Sequence, residues 1–94
     1  MRMRITYDPA KRAKTLQERG LDFENAADVF AGSTLDLVDD RRDYGETRIR
    51  TFGYLFGRMI SVVWTPRGNA RHIISMRKAN DREKARYGQR LKES

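Results

Sequence analysis

The hydrophobic pattern of this chain changes its period once, at Leu35, and that change limits the folds available to it. Before Leu35 the apolar residues recur at helical spacing, most regularly at Phe23, Ala26, Ala27 and Phe30. After it, short β-branched and aromatic segments alternate with turn residues, as strands do. Helical and strand segments that are separated along a chain are typical of α+β folds. We therefore predict an α+β domain.

The N-terminal third of the chain predicts one strand and two helices. Arg4–Tyr7 is a short strand candidate. Asp8 and Pro9 then begin a helix, because Asp caps free N–H groups and Pro at the first helical position removes only an N–H that would be unpaired. Gly20 is placed to end this helix, and a second helix is predicted over residues 22–32. The first helix carries an apolar stripe formed by Ala10, Ala13 and Leu16.

The remainder of the chain predicts a sheet and a last helix. Short connections between neighbouring strands favour an antiparallel meander. A charged helix begins at Asn80 or Asp81 and runs to Leu91. The predicted strands are Leu35–Val38, Thr47–Phe56, Met59–Thr65 and Arg71–Arg77. We therefore expect two N-terminal helices packed on one face of a twisted antiparallel sheet, followed by a basic C-terminal helix.

Length and composition exclude several classes of protein. The 94 residues correspond to one domain, which we assign to residues 1–94. The absence of cysteine and the presence of one histidine exclude disulfide scaffolds, thiolate metal sites, multi-histidine zinc sites and a histidine-pair mechanism. No apolar run approaches the roughly 20 residues of a transmembrane helix, and no signal peptide follows Met1. We expect a cytoplasmic protein that does not associate with membranes.

Positive charge is concentrated in the second half of the chain. Residues 1–40 carry six Lys and Arg against eight Asp and Glu, whereas residues 41–94 carry fourteen against five, a net charge of +9. A basic half on a small chain indicates a polyanionic partner, for which we favour nucleic acid or an acidic protein.

The strands also carry candidate functional residues. The two-residue period directs Glu46, Arg48 and Arg50 to one side of their strand. Trp64 lies at the end of the following predicted strand, and Arg67 lies just beyond that end. In the last strand the same period places Arg71, Ile73, Ser75 and Arg77 on one face, and His72, Ile74 and Met76 on the other.

Such a set of side chains suits metal-free cleavage of RNA. Cleavage needs a base for the 2′-hydroxyl proton, cations that stabilise the pentavalent phosphorane, and a group that holds the nucleobase. Each residue also has a structural interpretation: Glu46 and Arg48 as a surface ion pair, Trp64 as core, and His72 as a structural histidine. The predicted RNA contacts are Arg50, Trp64, Arg67 and Lys78.

A magnesium site is the competing interpretation of one acidic segment. Its members are Asp36, Asp39, Asp40 and Asp43. Carboxylates do bind hard cations, but Arg41 and Arg42 interrupt this group and no second acidic cluster accompanies it. We interpret the segment as a solvated turn and expect neither a metal nor a cofactor.

Together these residues resemble the BrnT-type toxins, the ribonuclease components of type II toxin–antitoxin modules, which have a RelE-like fold. The resemblance covers nearly the whole chain, and its most specific stretch runs from Arg71 to Ala79. Within the matching segments three residue types differ: Tyr7 stands where the family usually has Trp, Arg19 where a Lys-His-Gly ending is common, and His72 where many members have Arg. The other matching residues are Tyr7-Asp8, Lys11, Gly20, Asp22-Phe23, Val29-Phe30, Asp39 or Asp40, Gly45-Glu46, Arg48, Gly53, Val62–Thr65, Arg67-Gly68, Glu83 and Tyr87.

The resemblance implies an RNA endonuclease that blocks translation and is neutralised by an antitoxin. Such antitoxins resemble ribbon-helix-helix DNA-binding proteins, and the complex binds operator DNA through them. Because ribbon-helix-helix proteins form two-fold dimers, we expect a heterotetramer of two toxins and two antitoxins. The catalytic residues that the resemblance implies are Glu46, Arg48, Arg71 and Arg77, together with Trp64 and His72.

The chemistry of these residues suggests a role for each. Glu46 is the predicted proton acceptor, the arginines bind phosphate, and Arg77 or His72 assists the leaving 5′-oxygen. The alternative function is a non-catalytic basic module that binds nucleic acid or an acidic protein. A third function, a DNA-binding repressor, lacks a helix-turn-helix or zinc signature in the sequence.

Overall fold

The computed structural model describes residues 4–93, which contain five strands and three α-helices. A single 3₁₀ turn, Phe23–Asn25, precedes the second helix. The predicted α+β class is confirmed. The elements are β1 (Arg4–Tyr7), α1 (Pro9–Arg19), α2 (Ala26–Ala31), β2 (Leu35–Val38), β3 (Ile49–Leu55), β4 (Arg58–Arg67), β5 (Ala70–Lys78) and α3 (Asp81–Glu93).

The strands form one mixed sheet in the order β1-β5-β4-β3-β2. The predicted antiparallel meander of three strands is confirmed for β3, β4 and β5, and β2 also pairs antiparallel to β3. The prediction of a wholly antiparallel sheet is wrong, because β1 pairs parallel to β5. Most of the chain separates these two strands, so no hairpin turn fixes their relative direction, and the sequence pattern of β1 carries no signal for it.

Helix α1 begins and ends as the sequence predicts. The Asp8 carboxylate accepts a hydrogen bond from the Ala10 N–H at 2.9 Å, and Gly20 adopts a left-handed φ of 68°. The predicted packing of this helix on the sheet is wrong: none of its residues is buried, and Leu16 is 45% exposed. Polar contacts hold α1 instead, since Arg12 binds Asp22 at 2.8 and 3.0 Å and Arg19 donates to the Met76 carbonyl.

Helix α2 covers one face of the sheet, which we call the α2 face. The predicted helix over 22–32 is divided, because Asp22 caps the 3₁₀ turn through the Glu24 N–H and α2 itself begins only at Ala26. Its predicted apolar face is confirmed in part: Phe23 and Ala26 are buried and Phe30 is partly buried, whereas Ala27 is exposed and Val29 is buried instead. The buried cluster on this face includes Phe23, Ala26, Val29, Ile60, Val62, Trp64, Ile73 and Met76.

Helix α3 covers part of the opposite face, the α3 face. Leu91 is buried against Phe52 and Met59, and the Tyr87 ring stacks on Phe52 with centroids 4.7 Å apart. These apolar contacts come from a helix that is otherwise charged. The sheet is therefore covered by α2 on one face and by α3 on the other.

Two reciprocal hydrogen bonds fix the start of α3. Asn80 Oδ1 accepts from the Glu83 N–H at 2.8 Å, and Glu83 Oε1 accepts from the Asn80 N–H at 2.9 Å, which is a capping box. Arg77 on β5 also donates two hydrogen bonds of 2.8 Å to the Glu83 carboxylate. Glu83 thus joins the helix to the sheet.

The close contact of α2 with the sheet depends on Gly53. A Cβ at this position would lie 2.7 Å from the Cγ1 of Val29, a fully buried side chain. We expect Gly53→Ala to lower the free energy of unfolding by about 1–3 kcal/mol, because the core must move to admit the methyl group. Urea unfolding measures this change.

Gly88→Ala is the matched control, because its Cβ would meet only the Cε of Met59 at an ordinary 3.9 Å. Alanine in this helix should stabilise the protein by about 0.5–1 kcal/mol. Equal effects of the two substitutions would contradict the steric argument.

The Arg77–Glu83 pair makes stability depend on pH. Hydrogen bonds from Arg77 lower the pKa of Glu83 to about 2, although burial acts in the opposite direction. Since this pKa lies below the ordinary 4.5 of an unfolded chain, the ionised carboxylate stabilises the fold above pH 4.5, and that contribution is lost as the pH falls toward 2. The free energy of unfolding of the wild type should therefore decrease as the pH falls from 4.5 to 2.

Glu83→Gln should flatten this dependence and lower the free energy of unfolding at pH 7 by about 1–2 kcal/mol, after allowance for the partly exposed pair. Asp81→Asn is the control at pH 7, because Asp81 is fully exposed and its contact with Lys84 is 3.5 Å long. Urea titrations at several pH values test both variants. An unchanged pH dependence in Glu83→Gln would contradict this assignment.

Candidate functional site

A β-bulge in β5 decides which of its side chains share a face. Val63 pairs with Ser75 and Trp64 pairs with Ile73, so Ile74 is an extra residue without a partner. The alternation of β5 is shifted by one position at this point. The predicted grouping of Arg71, Ile73, Ser75 and Arg77 on one face is therefore wrong. The pairing places Arg71, Ile73 and Met76 on the α2 face, and His72, Ser75 and Arg77 on the α3 face.

Glu46 lies between two arginines at the end of the sheet that α3 leaves open. Its carboxylate is 3.5 Å from the Nε of Arg48 and 3.7 Å from the Nη2 of Arg67. Glu46 precedes β3 and Arg67 ends β4, so the β3–β4 pairing brings them together. Both contacts are longer than strong hydrogen bonds, so each guanidinium keeps donors for another anion.

Tyr44 is a member of this group that the sequence reasoning missed. The Cζ of Arg48 lies 3.9 Å from the centre of the Tyr44 ring, a cation–π stack that fixes the guanidinium. The Nε of Arg48 is buried and has no hydrogen-bond partner within residues 4–93. An aromatic residue in an irregular loop follows no period, so no sequence signal indicated this contact.

His72 lies on the α3 face, on β5, which pairs with the strand β4 that ends at Arg67. Its Nδ1 is 2.9 Å from the Thr6 hydroxyl oxygen, which links β5 to β1. Burial lowers the pKa of His72, the nearby cations Arg67 and Lys11 lower it further, and Glu46 opposes them. The imidazole is therefore neutral at neutral pH, and a neutral imidazole can accept a proton.

A second group of cations lies further along the α3 face. Arg50 donates to the Ser61 hydroxyl at 2.6 Å, and burial together with the charges of Arg77 and Arg41 lowers its pKa. Glu83 is the carboxylate that binds Arg77. A cavity of about 260 Å³ lies beside this group. The cavity is lined by three arginines, Arg41, Arg50 and Arg77, and by three carboxylates, Asp39, Asp40 and Glu83, so the charges around it are balanced in number.

Three predicted site residues lie away from Glu46. Trp64 is 7% exposed and its Nε1 donates to the Thr51 hydroxyl, so its ring is core and presents no face for a nucleobase. Arg71 lies on the α2 face, where its Cζ is 4.2 Å from the ring centre of Phe30 and 4.8 Å from that of Trp64. Lys78 is the last residue of β5, at the opposite end of the sheet.

The carboxylates of Asp36, Asp39 and Asp43 in the acidic segment bind protein groups, either within the turn or on the neighbouring strand β3. Asp39 binds Arg41, which lowers the pKa of that carboxyl group, and Asp43 accepts from the Gly45 N–H. The Asp36 carboxylate accepts from the Thr51 hydroxyl at 2.6 Å. Across residues 4–93 no three His, Asp or Glu side chains are grouped as ligands of one metal ion.

The family model of the ribonuclease toxin BrnT of type II toxin–antitoxin systems matches residues 7–83. The match extends from the end of β1 into α3, and it includes Glu46, Arg48, Arg67 and His72. No curated protein sequence matches the chain. No helix in the described part of the chain has the length and apolar character that a membrane span requires. Because the family match covers most of the chain, the predicted resemblance is confirmed, and the protein belongs to the BrnT family of ribonuclease toxins of type II toxin–antitoxin systems.

Proposed function

We propose that this toxin is an endoribonuclease that cleaves RNA without a metal ion, and that its active site is the group around Glu46 on the α3 face. The observation that supports this proposal most strongly is the joint placement of proton acceptors and cations. Glu46 and His72 interact electrostatically, and Arg67 lies close to both of them. Proton acceptors beside cations are what phosphodiester cleavage through a 2′-hydroxyl requires.

In this mechanism the 2′-oxygen of RNA attacks the adjacent phosphorus. Glu46 accepts the 2′-hydroxyl proton, while the bond from phosphorus to the 5′-oxygen breaks and that oxygen takes a proton from solvent. Arg48 and Arg67 stabilise the negative charge of the phosphorane, and Tyr44 positions Arg48. His72 is the alternative acceptor of this same proton, because its lowered pKa leaves the imidazole neutral and able to act as a base.

The arginines of β3 and β5 bind phosphates beyond the scissile one. Arg50 and Arg77 lie on the same face as His72, and both guanidinium groups line the same cavity. Arg77 is not assigned to the leaving 5′-oxygen in this mechanism, because Glu83 binds its guanidinium through two hydrogen bonds. In this proposal Arg71, Trp64 and Lys78 do not take part in the chemical step.

A type II toxin has an antitoxin partner. We propose a ribbon-helix-helix antitoxin that covers the α3 face, forms a complex of two toxins and two antitoxins, and binds operator DNA. We further propose a single RelE-like domain over residues 1–94 that acts in the cytoplasm and inhibits translation by cutting RNA. The excess of Lys and Arg after residue 40 supports a partner with acidic groups on this face.

Substitution of Glu46 tests the active site. We expect Glu46→Gln to lower the rate of RNA cleavage by at least about 100-fold, because the amide cannot take the proton. Arg48→Ala should lower it by about 10²–10³ through the loss of a preorganised cation. Rates are measured on a defined single-stranded RNA, and circular dichroism checks the fold.

Asp28→Asn is the control, because it makes the same change of charge at an exposed position of α2. Its cleavage rate should equal that of the wild type. Full activity of both site variants would mean that the reaction takes place elsewhere. A folded wild type that binds RNA without cutting it would establish the alternative function, a non-catalytic module.

The products and the metal requirement form a separate prediction. Cleavage should continue in EDTA and leave a 2′,3′-cyclic phosphate and a 5′-hydroxyl, because the attacking oxygen belongs to the RNA. Mapping of the RNA ends by mass spectrometry measures this outcome. Strict dependence on Mg²⁺ with 5′-phosphate products would contradict the proposed mechanism and favour the acidic segment as the reaction site.

A further inference from the structure

A cavity of about 550 Å³ lies at the end of the sheet opposite Glu46, between the β3–β4 turn and one flank of α3. Its lining includes the side chains of Tyr54, Arg58, Met59, Lys78, Lys84 and Lys92. Lys78, which the sequence analysis assigned to RNA binding and which lies far from Glu46, is one of its lining residues.

The charge around this cavity is of one sign. Four of its lining residues are cations, and no Asp or Glu lines it. Lys84 has one carboxylate near it, Asp81, at 3.5 Å on a fully exposed side chain. A weak, exposed ion pair of this kind does little to neutralise a cluster of cations. An anionic ligand would therefore lower the electrostatic free energy of this region.

The walls of the cavity also offer aromatic surface. Tyr54 is 37% exposed, and Met59, its partner on the neighbouring strand β4, is buried. Phe56, which precedes the lining residue Gly57 in the two-residue turn, has an 84% exposed ring and a φ of 51°. Such turns favour Asn, Asp or Gly at the first position, and a bulky residue with positive φ is rare. An exposed ring held at this position suggests a role in binding.

We propose that this cavity binds a nucleotide unit of single-stranded RNA, outside the cleavage site. Lys78, Lys84 and Lys92 contact the phosphates, and Tyr54 and Phe56 stack on bases. Cations beside exposed aromatic rings are the combination with which proteins bind single strands. The proposal rests on the proposed function only in that RNA is the ligand.

The spacing of the two sites gives this ligand a minimum length. Lys78 and His72 are six residues apart on β5, which is roughly 20 Å of strand. A strand of RNA that reaches from the cleavage site to the cavity must pass α3, and so must extend several nucleotides beyond the cut. An acidic protein would satisfy the cations but would leave the exposed rings without a partner, so we favour RNA.

Charge variants on the two flanks of α3 test the proposal. The probe is a fluorescent 12-nucleotide 2′-O-methyl oligouridylate, which cannot be cut through its 2′-oxygen, so binding is measured whether or not the protein cleaves RNA. Lys84→Gln with Lys92→Gln removes two charges that line the cavity. Arg82→Gln with Arg90→Gln removes two exposed charges of the same helix that do not line it.

We expect the lysine pair to weaken binding by about tenfold at low salt and the arginine pair by less than about twofold. Tyr54→Leu, which keeps the charge, should weaken binding by at least about fivefold through lost stacking. Fluorescence anisotropy measures the affinities, and circular dichroism confirms that each variant is folded. This combination of results would support the cavity as an RNA subsite.

Other results would overturn the proposal. Equal losses in the lysine and arginine pairs would show diffuse attraction to the whole helix, and wild-type affinity of the lysine pair would exclude the cavity. Uridine monophosphate that binds the cavity as tightly as the oligonucleotide would assign it to a free nucleotide. Binding of polyglutamate that depends on the lysine pair but not on Tyr54, with RNA binding unaffected by either change, would assign it to an acidic protein.

Discussion

The extra residue at Ile74 determines the chemistry of the α3 face, because it sets which side chains of β5 lie there. Without this bulge, His72 and Arg77 would point to opposite faces, as a strict two-residue period requires. With it, His72 points to the same side as Arg48 and Glu46, while Ile73 and Met76 both reach the buried cluster under α2. This one extra residue thus lets Ile73 and Met76 pack in the core while His72 and Arg77 face the candidate site.

The strands that carry the site are also held by buried polar contacts. Trp64 donates to the Thr51 hydroxyl, and that hydroxyl donates to Asp36, so three neighbouring strands share one chain of hydrogen bonds. A buried donor without a partner destabilises a fold, so these residues constrain one another. The same contacts explain why Trp64 serves the core and is closed to a nucleobase.

Local sequence features predicted much of the fold. The capping residue Asp8 and the left-handed Gly20 bound α1 as expected, and the short connections indicated the antiparallel meander correctly. These features act between neighbours in the chain, so a sequence displays them. The bulge, the parallel pairing of β1 and the stacking of Arg48 on Tyr44 depend on residues that meet only in the folded chain. The sequence therefore displays the local elements of the fold, but not the contacts that bring distant residues together.

The α3 face combines an excess of positive charge with a few carboxylates that are each placed among cations. Glu46 lies between Arg48 and Arg67, and Glu83 holds Arg77 close to Arg50. Each carboxylate reduces the repulsion that so many guanidinium groups would create, yet neither neutralises its surroundings. A bound polyanion would complete this compensation, and RNA and an acidic antitoxin surface would both do so. In the proposed complex the antitoxin and RNA would contact the same cations, so the two would compete for this face through charge.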